Sequence, residues 1–277
     1  MEMKFYSSFL KLSWLVLVVS TFTFTSIGFS LEIYPTRLVL TDRTRVVELE
    51  LKHTEATTTR YDVSLVFFRM LPNGDLQDWK DPPDSALPAM KYLRYSPHSV
   101  TLTQNSTQVV KVMLIPSKDL PDGDYRAHLK LSPAEEANEE LAKPLPGKNK
   151  VSLSLTMKLS ITVPVIFKHG QTSYKVALSD LKMVKQKNGM LGYSLKMKST
   201  GNGIPYGSVS AFFTPKGGEK QRIAYVKGIS AYIPERTLSY PLTELGDTRL
   251  EHGTLTVEFA SEEEGGKVID AIEGKIP

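Results

Sequence analysis

From Val151 to Phe167 every odd-numbered residue is apolar: Val151, Leu153, Leu155, Met157, Leu159, Ile161, Val163, Val165 and Phe167. The even positions read Ser, Ser, Thr, Lys, Ser, Thr, Pro, Ile. A strand alternates its side chains between two faces, so the run puts all of these apolar groups in one row. At about 3.3 Å per residue it would reach roughly 55 Å, against about 17–20 Å for an ordinary strand. One sandwich cannot bury that length. Leaving even a few of these groups in water forgoes roughly 1.5–3 kcal/mol each, which is of the order of a whole domain's stability. On an edge strand the row would also template aggregation. Either something outside the sandwich covers part of the row, or the strand is long, bent and buried throughout.

The rest of the chain speaks for the same class of structure. After Leu31 the sequence is a series of short alternating segments separated by turn residues, the pattern of an all-β sandwich or barrel. Candidate strands are IYPTRLVL, RVVELELKH, RYDVSLVFFRM, SVTLT, QVVKVMLIP and DYRAHLKLS before the long run, and SYKVALSDLKMV, MLGYSLKMKS, YGSVSAFFT, KQRIAYVKG, RTLSYPLTE and GTLTVEFAS after it. Asn73-Gly74 and Asn188-Gly189 mark tight turns. No amphipathic helix of useful length is expected. Residues 133–150, charged and proline-bearing, read as a long exposed loop. Residues 168–173 read as a linker, and the polar end of the chain is expected to fray after its last apolar residues. The 277 residues suit two domains of about a hundred residues each behind a leader. Residues 1–30, with Lys4 and Lys11 before an uncharged apolar stretch and small residues at Gly28 and Ser30, read as a signal peptide; a retained anchor is the competing reading.

Most catalytic chemistry is excluded by what is missing. There are no cysteines, so an exported fold would stand on packing alone, without disulfides or thiol chemistry. His53, His98, His128, His169 and His252 show no metal-ligand spacing and are expected on the surface or in turns. Phosphate-loop, nucleophile-elbow and zincin motifs are absent. Asp119, Asp122 and Asp124 read as a turn rather than a calcium loop, and Glu262 to Glu264 as a solvated acidic run. A net charge of +4 gives no reason to expect nucleic acid as a partner. No cofactor is expected.

Taken in order, four stretches resemble the periplasmic pilus chaperones of chaperone-usher systems, the PapD-like family, in its divergent branch. They are YPTRLVL; YLRYSPHSVTLTQNSTQVVKVMLIP with DLPDGDYRAHLKL; VSLSLTMKLSITVPVIFKHG; and SLKMKSTGNGIPYGSVSAFF. The resemblance implies two immunoglobulin-like β-sandwich domains in tandem after the signal peptide, at residues 31–168 and 169–277, the first carrying a donor strand over 151–167. It implies a non-enzymatic, periplasmic protein that lends that strand to a fimbrial or pilin-like subunit and delivers the subunit to an outer-membrane usher. Leu153, Leu155, Met157, Leu159, Ile161 and Val163 would then fill the subunit's groove.

Arg37, in PTRLV, matches the family arginine that holds the subunit's terminal carboxylate, a task suited to its planar fork. The family's second anchor is a lysine that falls here on Pro164, which leaves Lys168 or Lys158 to take its place. Some relatives hide the donor row against a second copy, so a self-capping homodimer is a further expectation. Two other classes compete: a self-assembling fibre subunit or adhesin, and, further behind, a polysaccharide hydrolase using two carboxylates.

Overall fold

The structure, a computed structural model, describes residues 31–54, 58–81, 87–115, 119–134, 159–187, 189–244, 246 and 250–276. The expected leader, most of the 133–150 loop and the row from Val151 to Met157 lie outside the described residues.

The first sandwich packs a four-stranded sheet, in the order β1 (Leu31–Tyr34), β3 (Val46–His53), β9 (Thr107–Leu114), β7 (Leu93–Ser96), onto a five-stranded one. The second sheet runs β2 (Leu38–Thr41), β11 (Ile161–His169), β10 (Gly123–Pro133), β4 (Thr59–Val66), β8 (Ser99–Leu102). Alternation decides what faces inward: on β3, Leu49, Leu51 and His53 are buried while Glu48, Glu50 and Lys52 are exposed. Leu38, Leu40, Val110, Val112, Leu129, Leu131, Val165 and Phe167 complete the core between the sheets. The segment IYPTRLVL is not one strand. With the preceding Leu31, the buried residues change parity, from Leu31 to Leu38 and Leu40, and the chain crosses from one sheet to the other at Pro35, which has no N–H for a ladder. A first strand shared between two such sheets is an immunoglobulin-like arrangement. One short helix, α1 (Leu87–Tyr92), was not expected from the pattern.

β11 ends at His169 and β12 (Tyr174–Lys185) opens the second sandwich. There, one sheet is β12, β13 (Leu191–Gly201), β16 (Glu235–Pro241). The other is β15 (Gln221–Ser230), β14 (Tyr206–Pro215), β17 (Gly253–Ser261), β18 (Lys267–Ile276). Tyr193, Leu195, Met197, Phe213, Leu238, Val257 and Phe259 form its core. The polar chain end does not fray within the described residues: β18 pairs with β17 from Gly253↔Ile276 to Ser261↔Lys267, and Ile269, Ile272 and Ile276 pack on the core.

A hairpin of β5 (Phe68–Met70) and β6 (Leu76–Asp78), turning at Asn73-Gly74, leans from the first sandwich onto the second. Pro72 O accepts the Thr237 N–H at 2.6 Å, and the Met70 sulfur accepts the Tyr232 N–H at 3.5 Å. Gly74 has φ +88°, so the turn requires glycine, and a Cβ there would fall 1.8 Å from the Arg236 guanidinium and push it aside. Two histidines depart from the surface expectation: His53 and His128 are buried, because β3 faces the core and the outer face of β10 is covered by Phe68 and Tyr232.

Candidate functional site

Arg37 ends the crossing segment, immediately before Leu38 pairs in parallel with Val165 of β11. Its side chain is only 7% exposed and reaches the second sandwich, where the guanidinium lies 4.0 Å from the Tyr206 ring centroid and Nη1 donates to Ser230 Oγ at 3.2 Å. Nε and Nη2 have no hydrogen-bond partner. These are the two parallel donors on one side of the guanidinium, the pair that a carboxylate bridges with both oxygens.

Lys168, on β11, lies opposite Thr41 of β2 and Asp124 of β10. With Phe167 turned into the core, alternation sends Lys168 outward, toward the second sandwich. Its Nζ donates to Glu263 Oε2 at 2.7 Å and is 3.7 Å from Asp124 Oδ2. Glu263 belongs to the β17–β18 turn, and its other oxygen is 3.9 Å from Arg37 Nη2, too far for a hydrogen bond. Arg37 and Lys168 therefore line one cleft, of about 740 Å³, together with Tyr34, Pro35, Thr36, Val39, Tyr206, Glu262 and Glu263.

Burial pushes the Asp124 carboxyl up, against the Ile204 N–H and Lys168, which pull it down. The Tyr206 hydroxyl is likewise raised, by burial first and then by Glu262, with Arg37 opposing. Sequence reasoning did not find Glu263, because an acidic run gives no sign of which member turns inward. Nor did it find Tyr206 and Ser230, which meet Arg37 only through the tertiary fold. Among the described residues no cluster of three His, Asp or Glu side chains could hold a metal.

The row that opened the sequence divides. Leu153, Leu155, Met157 and Lys158 lie outside the described residues. Leu159 is 58% exposed, and Ile161 is half-buried against the first core. Val163, expected among the groove-filling residues, is instead core: it is 3% exposed, because from this point the odd face of β11 lies against the opposite sheet.

β11 pairs with β10 over its whole length, but β2 covers its other edge only from Val165 to Lys168. From Ile161 to Pro164 that edge has no partner strand among the described residues. Because β2 runs parallel to β11 and begins at Leu38, the vacant lane ends at Arg37.

No protein-family model matches the chain, and no curated protein sequence does. The structure is similar to solved fimbrial chaperones. For the YadV chaperone the TM-score is 0.46 at 12% identity, covering 90% of this chain and 100% of the other. For the Salmonella enterica SafA pilin in complex with the SafB chaperone it is 0.43 at 14% identity, covering 91% and 98%. For the CsuC–CsuE chaperone and tip subunit complex of Acinetobacter baumannii it is 0.42 at 11% identity, covering 88% and 98%.

Proposed function

We propose that this chain is a periplasmic chaperone that binds fimbrial or surface-fibre subunits by lending them the strand ahead of Val163, for delivery to an outer-membrane usher. One observation carries the reading: the vacant edge of β11 leads to the two unpaired donors of Arg37. A client strand added there, parallel to β11, would bring its C-terminus to the cleft. Backbone hydrogen bonds along the edge would contribute about 0.5–1.5 kcal/mol each. Covering Leu159 would add roughly 1.5–3 kcal/mol. The terminal carboxylate would satisfy Nε and Nη2 together, in place of a buried guanidinium with two idle donors. The role asks for no catalysis and no cofactor.

The test is capture of a client from a periplasmic extract of the host by residues 31–277, comparing the unaltered protein with Leu159→Asp and Arg37→Ala. A small β-rich exported protein recovered at equal stoichiometry, and lost with both folded variants, is the expected result. Full capture by both variants, each with an unaltered circular dichroism spectrum, would reject strand donation and carboxylate anchoring together.

A further inference from the structure

An excess of positive charge favours the binding of a terminal carboxylate, and the charges that line this cleft supply none. Its lining carries Arg37 and Lys168 against Glu262 and Glu263, so the charges balance before any client arrives. Lys168 is already engaged, 2.7 Å from Glu263 and 3.7 Å from Asp124. Of the two cations Arg37 alone keeps donors without a hydrogen bond, the buried Nε and Nη2, since its nearest carboxylate, on Glu263, stands at 3.9 Å. A carboxylate seated on Arg37 would therefore leave the cleft one negative charge in excess, beside two glutamates on the wall that the β17–β18 turn supplies. A group that arrives with a cation of its own removes that excess.

Building on the carboxylate reading of Arg37, we infer that the cleft is bipolar and selects clients whose C-terminal segment carries a basic side chain one or two residues before the terminal carboxylate. Arg37 takes the carboxylate, and the basic side chain lies against Glu262 and Glu263. Lys168 is not a second anchor for the client; it holds Glu263 in place. Glu262 and Glu263 are thus specificity-determining residues, contributed by the second sandwich to a lane that the first one opens. The acidic run EEEGG carries them on a short turn fixed at its base, where the Glu262 N–H donates to Tyr206 O at 3.1 Å and the Gly266 N–H to Ser261 O at 2.8 Å.

The probes are N-acetylated, fluorescently labelled peptides of alternating valine and threonine, with Lys, Gln or Glu at either of the two positions before the last. Each is made with a free C-terminal carboxylate and as the amide, and binding is read by fluorescence anisotropy at low and at physiological salt. The expected order for the free acids is Lys over Gln over Glu, each step roughly three- to fivefold at low salt and smaller at high salt, as for partly exposed ion pairs. Glu262→Gln should shrink the spread and Glu262→Lys should reverse it. Glu262→Gln leaves the Lys168–Glu263 contact intact, so a folding defect in Glu263→Gln would not spoil the test.

Free acids that outbind their amides while Lys, Gln and Glu peptides bind alike would overturn the selectivity and leave the proposed function standing. Amides that bind as well as the free acids would remove the carboxylate anchor, and the selectivity with it.

Discussion

Arg37 and Arg126 both reach from the first sandwich to the second, in different surroundings. Arg37 rests on the Tyr206 ring, donates once to Ser230, and keeps two buried donors without a partner at the wall of a cleft shared with carboxylates. Arg126, on β10, lies 3.8 Å from the Tyr232 ring centroid and 5.4 Å from that of Phe67, and its Nη2 donates to the Phe68 carbonyl. Among the described residues it has no carboxylate partner. Burial pulls its pKa down to about 10, with Tyr232 opposing. Arg126 also keeps one buried donor, Nη1, without a partner and lines a cleft of its own with Phe67, Trp79 and Tyr232; what sets Arg37 apart is the Glu263 carboxylate at 3.9 Å and the open edge of β11 that leads to it. On the proposed function the same side chain on the same interface would serve as a clamp in one position and as a receptor in the other, and the carboxylate near Arg37 marks the difference.

The clamp side should break first, and by acid. His128, beside Arg126 on β10, is 1% exposed, and burial, with Arg126 adding, holds its pKa down to about 3 against an ordinary 6.5. The unfolded chain takes up that proton below the ordinary value and the folded one does not. Its full stability is therefore present above about pH 6.5 and falls as pH drops toward about 3, by about 4–5 kcal/mol over the window. Urea titrations across that range should show the slope, and His128→Leu should flatten it.

Next in size, Arg126→Ala should cost about 2–4 kcal/mol, from the lost ring contacts and an unpaired Phe68 carbonyl, measured as a fall in the denaturation midpoint. Arg37→Ala should cost only about 1 kcal/mol of stability while abolishing client capture, a split that Arg126→Ala should not show. A destabilisation by Arg37→Ala as large as that by Arg126→Ala would erase the distinction between the two.

The smallest effect is expected at Asp42. The Gly170 N–H, and then His169, lower its pKa. That contribution is present above the ordinary carboxylate value and lost as pH falls below it. Asp42→Ala should therefore cost about 0.5 kcal/mol near neutrality and nothing in strong acid, since the group is largely open to solvent.

Period-2 alternation made most of the strands readable, because each has one face on a core and one on water. It failed where both faces are covered. On β10, Arg126 and His128 alternate with Ala127 and Leu129 and read as a solvent face, yet all four are buried, since the second face is closed by Phe68 and Tyr232 from distant parts of the chain. A local signal did exist for the division of IYPTRLVL: Pro35, which has no N–H to give a continuous ladder. Arg37 was reachable only through resemblance, and its neighbours Tyr206, Ser230 and Glu263 only through the fold. The long alternating row was visible at once, but the residue at which it turns from free face to core is set by the opposite sheet, and so Val163 was placed on the wrong side.

The four residues between β11 and β12 have a consequence for mechanics. The Gly170 N–H donates to Asp42 at 3.0 Å, the Gln171 N–H to Asp122 at 3.0 Å and the Ser173 N–H to Asn202 at 2.9 Å. Asn202 returns two bonds, to the Asp122 and Gln171 carbonyls, at 3.0 and 2.9 Å. Gly170 has φ +63°, which residues with a Cβ rarely adopt, and a Cβ there would displace the Asp122 carboxylate that bonds Gln171. A connector tied at three of its four amides to both bodies should behave as a weld rather than a hinge, so that tension applied to one sandwich passes to the other. Its amide protons should exchange with deuterium as slowly as those of the flanking strands.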